Sequence, residues 1–137
     1  MLKKTITYKT FIGEKVTEDF YFNFTKAELA DRQLSTKGGL SNFLQKVLDA
    51  KDDVALYALF KDLILDAYGV LGEDGKKFVK SKQISEDFSH SEPYSIIFMD
   101  IVNDAESAIA FFKGILPADL SAEITPDQIK TMSEKYS

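Results

Sequence analysis

His90 is the only histidine of the chain and lies in the segment Ser-His-Ser-Glu-Pro. A hydrolase could use it as a base, with Ser89 or Ser91 as the nucleophile and a carboxylate to orient the ring. The sequence contains no Gly-x-Ser-x-Gly motif, and nothing in it places these side chains on a strand–turn–helix elbow. We therefore interpret His90 as a loop residue between two helices and predict that the protein is not an enzyme.

Evenly spaced glycines at positions 69, 72 and 75 could form a phosphate-binding loop. Such a loop follows a strand and precedes the N-terminus of a helix. Here a helix is predicted before the glycines, so the order of elements is the wrong one. We interpret Gly69 as a helix end and Gly72 to Gly75 as a turn.

Carboxylates recur at helical spacing, as Asp62 with Asp66 and as Asp100 with Asp104. Pairs of this kind could bind a divalent metal or act as acid and base. No Glu-x-x-His motif and no twelve-residue calcium loop accompanies them. We interpret them as the solvated edges of helices and predict neither a metal ion nor a cofactor.

Basic residues cluster around one aromatic side chain, Phe78, which lies among Lys76, Lys77, Lys80 and Lys82. An aromatic ring among lysines can stack on a nucleic-acid base. Acidic residues flank this cluster, and the whole chain has a net charge of −5 from 17 basic and 22 acidic residues. We therefore interpret the cluster as a solvated strand edge and predict no nucleic-acid partner.

Composition narrows the class of protein further. The 137 residues, 45% of them hydrophobic, suffice for one domain with a single core. The absence of cysteine excludes disulfides, zinc–thiolate sites and thiol catalysis. No apolar run reaches the length of a membrane span, and the N-terminus does not resemble a signal peptide. We expect a soluble cytoplasmic protein with no membrane partner.

Alternating polar and apolar residues over Lys3–Thr10 and Lys15–Asn23 predict two strands. The glycine-containing segment between them predicts a β-hairpin over residues 3–23. An isolated hairpin is only marginally stable, so it needs helices or a third strand to pack against. The segment Lys76–Lys80 is one candidate for that strand, and another chain is the alternative.

Helical periodicity and capping residues predict six helices, over residues 25–35, 40–50, 52–68, 82–89, 93–103 and 104–113. The helix over 52–68 is apolar on nearly every side, which predicts a buried central helix. The fold class expected is therefore mainly α (α+β), a five- to six-helix domain with an N-terminal β-hairpin. This domain should span residues 1–117, and residues 118–137 should form a weakly ordered, flexible C-terminal tail.

Eleven phenylalanines and six tyrosines without a catalytic pattern favour an interaction protein, because aromatic side chains anchor many interfaces. Four apolar residues before the tail form a candidate partner-binding patch: Phe111, Phe112, Ile115 and Leu116. The alternative is that these four side chains close the hydrophobic core. The open edge of the hairpin is a second possible contact surface.

Several segments resemble the tail assembly chaperones of long-tailed phages and prophages of Gram-positive bacteria. They are Leu-Ile-Leu-Asp-Ala-Tyr-Gly-Val, Glu-Asp-Gly-Lys-Lys-Phe-Val-Lys-Ser, Phe-Ser-His-Ser-Glu-Pro-Tyr-Ser and Ala-Phe-Phe-Lys-Gly-Ile-Leu-Pro. The resemblance also includes the order of elements and spans about residues 1–117.

The resemblance implies a protein that binds the tape measure protein, a long hydrophobic helical rod, and keeps it soluble while the tail tube assembles. It further implies an oligomer that acts in the host cytoplasm and is absent from the mature virion. Contacts with the tail tube protein, with a longer frameshifted form of the chain and with other copies would fit this role. Two alternatives remain open: a structural tail or connector subunit retained in the virion, and a small peptide-binding regulatory module.

Overall fold

The computed structural model describes residues 1–31 and 53–117, and every structural statement below concerns these residues. Its elements are β1 (Leu2–Lys9), β2 (Lys15–Phe22), α1 (Lys26–Asp31), α2 (Asp53–Ala67), β3 (Tyr68–Leu71), β4 (Phe78–Val79), α3 (Lys82–Ser89), α4 (Glu92–Asn103) and α5 (Ala105–Ile115). The predicted helix over 40–50 and the predicted tail over 118–137 lie outside the described residues. The boundary of the domain at residue 117 therefore stays a prediction.

The predicted N-terminal hairpin is confirmed. β1 and β2 pair antiparallel along their whole length, from Leu2 opposite Phe22 to Lys9 opposite Lys15. We call the side of the sheet that carries Ile6 and Phe20 the inner face, because it is the side that contributes to the core. The opposite side, the outer face, is polar. There the hydroxyl of Thr5 donates to Asp19 Oδ1 at 2.6 Å, which stabilises the register across the two strands.

The expectation of a mainly α fold with a two-stranded hairpin is wrong. The described residues form a four-stranded antiparallel sheet in the order β1-β2-β3-β4, and five helices accompany it. Residues 68–71 form the third strand and pair with β2, whereas the segment proposed as the third strand contributes the fourth. The fold is therefore α+β, and the hairpin is one half of a continuous sheet.

A glycine after a helical pattern predicts the end of a helix, but Gly69 is part of a strand. It lies inside β3 opposite Tyr21, and it is not one of the glycines with a positive φ angle. A Cβ atom at position 69 would lie 2.8 Å from the Phe78 ring and 2.9 Å from the Val79 carbonyl oxygen. The glycine is needed because β4 approaches closely, which is a different reason from the end of a helix.

The prediction that the helix over 52–68 is buried on nearly every side is also wrong. α2 buries one face, which consists of Phe60, Leu63, Ile64 and Ala67. On its other side Val54 is 79% exposed, and Tyr57 is more than one third exposed. The exposed apolar residues of α2 thus lie near its N-terminus, whereas Leu59 and Leu65 pack against the core, and the helix ends at Ala67 where β3 begins.

The chain segment after β2 joins three distant parts of the structure. The Asn23 amide donates to the Ala67 carbonyl at 2.9 Å, and the Phe24 amide donates to the Ile115 carbonyl at 2.8 Å. These bonds connect the end of β2 to the ends of α2 and α5. Phe22 and Phe24 on either side of this junction are buried, so the core is centred here. Among the described residues, no helix combines the length and the apolar character that crossing a membrane would require.

Candidate partner-binding site

His90 and its neighbouring serines are used at helix ends. His90 is exposed and caps the C-terminus of α3. The Ser89 hydroxyl donates to the Glu86 carbonyl and the Ser91 hydroxyl donates to the Phe88 carbonyl, both at 2.6 Å. Ser91 also caps α4 by accepting a hydrogen bond from the Tyr94 amide. This geometry fits the interpretation of His90 as a residue between two helices.

Among the carboxylates considered as metal ligands, one caps a helix and two are exposed to solvent. Asp104 caps α5, where its side chain accepts hydrogen bonds from the Glu106 amide and the Ser107 hydroxyl. Asp62 and Asp100 are exposed. Within residues 1–31 and 53–117, no three acidic or histidine side chains form a group that could hold a metal ion.

Lys80, the most central residue of the basic cluster, contacts other parts of the protein instead of facing solvent. Its Nζ donates to the Asn23 carbonyl and to Glu28 Oε2, each at 2.6 Å, and lies 4.5 Å from the centre of the Phe24 ring. Burial raises the pKa of Glu28, but the hydrogen bonds from Lys80 and Thr25 outweigh it, and the pKa lies below its ordinary value. This half-buried ion pair connects α1 to the segment between β4 and α3.

The four residues of the candidate patch near the C-terminus are all buried. Their side chains are between 0% and 7% exposed and belong to the core: Phe111, Phe112, Ile115 and Leu116. The alternative weighed for them, that they close the core, describes where the structure places them. A contact between these residues and a partner stays a prediction, and it would require α5 to move.

An open apolar cavity lies elsewhere, between the inner face of the sheet and α3. It has a volume of about 290 Å³. Its lining consists of Tyr8, Phe20, Tyr68, Val70, Ile84, Asp87, Phe88, Ser91 and Pro93. We call this cavity the aromatic groove. Its residues come from β1, β2, β3 and α3 and from the start of α4, so it exists only when these three strands have paired and the two helices have packed on them.

Stacked rings make the floor of the aromatic groove. The Phe88 and Tyr68 rings are stacked with their centres 3.9 Å apart and their planes 9° from parallel. The Phe20 ring lies 5.7 Å from Phe88, in the range of favourable aromatic contacts. α3 is held in place because the Ser85 hydroxyl donates to the Leu65 carbonyl at 3.0 Å. The floor is therefore well packed and preformed.

The rim of the aromatic groove is acidic. Asp87 lines it directly, and Glu18 accepts a hydrogen bond from the Tyr8 hydroxyl. This hydrogen bond, with burial and the charge of Glu18, raises the pKa of Tyr8. Burial raises the pKa of Tyr68, and the Glu18 charge adds to this effect. Both phenols therefore stay neutral at physiological pH, and the negative charge of the groove belongs to the two carboxylates.

The hairpin turn forms a second apolar feature at the far end of the sheet. Phe11 is 79% exposed and Ile12 is 84% exposed, although both are large apolar residues. The turn is well formed, because the Gly13 amide donates to the Thr10 carbonyl at 2.9 Å and Gly13 adopts a φ of +91°. Its conformation directs Phe11 and Ile12 into solvent. We call these two residues, with Lys9 and Lys15 beside them, the hairpin tip.

Neither the groove nor the tip was identified from the sequence. The alternation in β1 and β2 did place Ile6 and Tyr8 on one face, and the periodicity of α3 did place Ile84 with Phe88. The sequence pattern does not indicate the groove, because it predicts Tyr68 as the end of a helix and predicts no strand at Val70. The tip had a readable signal, because a hairpin turn usually contains polar residues.

The fold and these surfaces define a small α+β domain with exposed apolar sites suited to binding another protein. Over residues 1–136 the chain matches the family model of the phage tail assembly chaperones, and it belongs to that family. The resemblance seen in the sequence is thereby confirmed. Comparison with curated proteins and with solved structures found no match.

Proposed function

We propose that this tail assembly chaperone binds the tape measure protein and keeps it soluble until tail tube subunits assemble around it. Membership in the family supports the assembly role. The observation that carries the finer proposal is the aromatic groove, an apolar site that is open, preformed and large enough for one or two side chains. We further propose that the protein acts in the host cytoplasm, has no catalytic activity and is absent from the finished virion.

The proposed contact is between an apolar side chain of a helical client and the stacked floor formed by Tyr68 and Phe88. Burying a side chain the size of leucine contributes about 1.5–3 kcal/mol. A dissociation constant of 1 μM corresponds to about 8 kcal/mol, so one groove alone binds weakly. Several chaperone molecules along one rod would cover its apolar faces while each contact remains reversible.

The acidic rim should make the groove prefer client segments that carry basic residues. Glu18 and Asp87 form no ion pair with any residue in the described part of the chain. A basic residue beside the apolar anchor of the client would therefore find an oppositely charged partner at the rim. A client segment with alternating apolar and basic residues should bind more tightly than an acidic one.

The test is co-expression with the tape measure protein encoded by the same phage or prophage. We expect a complex that copurifies, and more tape measure protein in the soluble fraction than without the chaperone. In the variant Val70→Asp a charge enters the groove at a position that is 48% exposed, so the fold should tolerate it while client binding is lost. Val54→Asp, at a 79% exposed valine of α2, is the matched control and should bind normally.

Three results would contradict the proposal. If wild-type protein neither copurifies with the tape measure protein nor increases its solubility, the client assignment is wrong. If Val54→Asp abolishes binding and Val70→Asp does not, the client uses the side of α2 and the groove assignment is wrong. Mass spectrometry of purified virions checks the remaining part, because abundant chain in the particle would indicate a structural tail subunit.

A further inference from the structure

The hairpin tip presents apolar surface where a hairpin usually presents polar residues. Ile12 is the most exposed large apolar side chain among the described residues, and Phe11 is as exposed as Val54, at 79%. Phe11 and Ile12 lie side by side at the end of a rigid turn, so presenting them costs little conformational entropy on binding. An exposed apolar pair on a rigid projection has the character of an anchor that inserts into an apolar cavity of a partner.

Charges beside this anchor indicate what the cavity should look like. Lys9 and Lys15 lie directly opposite each other across β1 and β2, where two like charges disfavour the pairing. Neither forms an ion pair with a described residue. Glu14 leaves the tip with one excess positive charge, although the whole chain carries −5. A complementary cavity would be apolar with an acidic rim.

The aromatic groove of the same protein has these properties. Its floor is apolar, Asp87 lines it, and Glu18 lies beside it as the acceptor of the Tyr8 hydroxyl hydrogen bond. Within one copy, the tip lysines cannot reach Glu18 in a favourable geometry, because the strand alternation places them on the outer face and Glu18 on the inner face. Lys4 shares the inner face, but it forms no ion pair with Glu18 in the structure. The charges therefore suit a contact between two copies.

We propose that the hairpin tip of one copy inserts into the aromatic groove of a second copy. Phe11 and Ile12 would fill the cavity of about 290 Å³, and Lys9 and Lys15 would pair with the acidic rim. The tip and the groove are different surfaces, so each copy offers one of each. The contact closes into a reciprocal dimer or continues into a longer assembly.

This contact has a consequence for the chaperone that rests on the proposed function. If the client also uses the aromatic groove, the tip and the client exclude each other. The tip of a neighbouring copy then covers the groove until a client displaces it, which protects the apolar floor from nonspecific contacts. The client needs to bind only slightly more favourably than the tip to open the assembly.

The experiment measures self-association by sedimentation, with no tape measure protein present. Wild type should associate in the micromolar to millimolar range. The tip variant, Phe11→Ser with Ile12→Ser, and the groove variant, Val70→Asp, should each weaken association at least about tenfold, because each removes one side of the contact. Ile96→Ser with Met99→Ser changes two other exposed apolar residues, on α4, and should leave association unchanged.

Mixing the two variants gives the sharpest result. The groove variant retains its tip and the tip variant retains its groove, so an equimolar mixture should form a one-to-one complex of about twice the 15.4 kDa chain mass. Thermal unfolding followed by circular dichroism checks that both variants are folded. The proposal is overturned if wild type stays monomeric, if neither variant changes its association, or if the two monomeric variants fail to combine.

These outcomes are separate from those of the client experiment. A chain that stays monomeric can still bind the tape measure protein, which would overturn the tip-in-groove contact alone. Failure to bind the client leaves the sedimentation result intact. Replacing both lysines, as Lys9→Glu with Lys15→Glu, should also weaken association, and the difference from wild type should shrink at high salt because the rim charges are solvent-exposed.

Discussion

Replacing Gly69 with alanine tests the feature that most changes the fold from the one expected. Gly69 lies in β3, and a Cβ atom there would be 2.8 Å from Cε2 and Cζ of Phe78 and 2.9 Å from the Val79 carbonyl oxygen. Carbon atoms in favourable contact are about 3.5–4.0 Å apart. The added methyl group therefore has to displace the Phe78 ring, the backbone of β4, or both.

The expected loss of stability follows from two opposing effects. Overpacking of this kind costs about 1–3 kcal/mol. Alanine restricts the unfolded chain more than glycine does and returns about 0.4–1 kcal/mol. We expect Gly69→Ala to lower the free energy of unfolding by about 1–2 kcal/mol. For a chain of this size the Tm should fall by about 4–8 °C.

The assay is thermal or urea unfolding of four proteins in a double-mutant cycle: wild type, Gly69→Ala, Phe78→Ala and the double variant. Because the ring supplies much of the clash, the cost of Gly69→Ala should be smaller by at least about 0.5 kcal/mol when Phe78 is alanine. Gly72→Ala is the control. Its Cβ atom would find neighbours only at 3.4 Å or more, and it should change stability little.

A helix-terminating glycine at position 69 would give a different result. The cost of alanine would then come from the local backbone conformation and would not depend on Phe78. Additive effects in the cycle would refute the assignment of Gly69 to a strand beneath the Phe78 ring. So would an unchanged or increased stability of Gly69→Ala.

Two further predictions concern the core and the ion pair. Phe88→Ala should lower the free energy of unfolding by about 3–5 kcal/mol, because a buried ring stacked on Tyr68 is lost. Calorimetry measures this, and a loss under about 1 kcal/mol would contradict the packing described for the groove. For Glu28 the folded pKa lies below the unfolded one, so its contribution is present above the ordinary pKa of 4.5 and is lost as the pH falls through the folded value. Unfolding measured from pH 7 to pH 3 should therefore show a steeper loss of stability for wild type than for Glu28→Gln, and parallel profiles would count against the Lys80 ion pair.

Local patterns were sufficient for the elements whose partners are close in sequence. The alternation in β1 and β2 and the glycine at the turn predicted the hairpin, because its register depends on residues that are neighbours along the chain. Ser81 marked the start of α3, since a capping hydroxyl bonds within three residues. Asp104 marked the start of α5 in the same way. Pro93 marked the first turn of α4, where its missing N–H is not needed.

The same local patterns failed at residues 68–71, and the reason is physical. Tyr68 and Gly69 continue the apolar run of α2 and end it with a glycine, which is also how a helix commonly ends. Their assignment to β3 depends on pairing with Tyr21 and Phe22, more than forty positions earlier in the chain. No local preference contains that pairing, because its free energy arises only when β2, β4 and the core come together.

The sequence by itself determined the hairpin, most described helix boundaries and, through segments that resemble known chaperones, the family. Only the tertiary structure decided that the described residues form a four-stranded sheet, that Phe111 and Ile115 close the core, and that Phe11 and Ile12 remain outside it. These four residues are two phenylalanines and two isoleucines, so all of them are large and apolar. Burial is a property of position in the packed chain, so the residues that are free to meet a partner could be identified only after the fold was known.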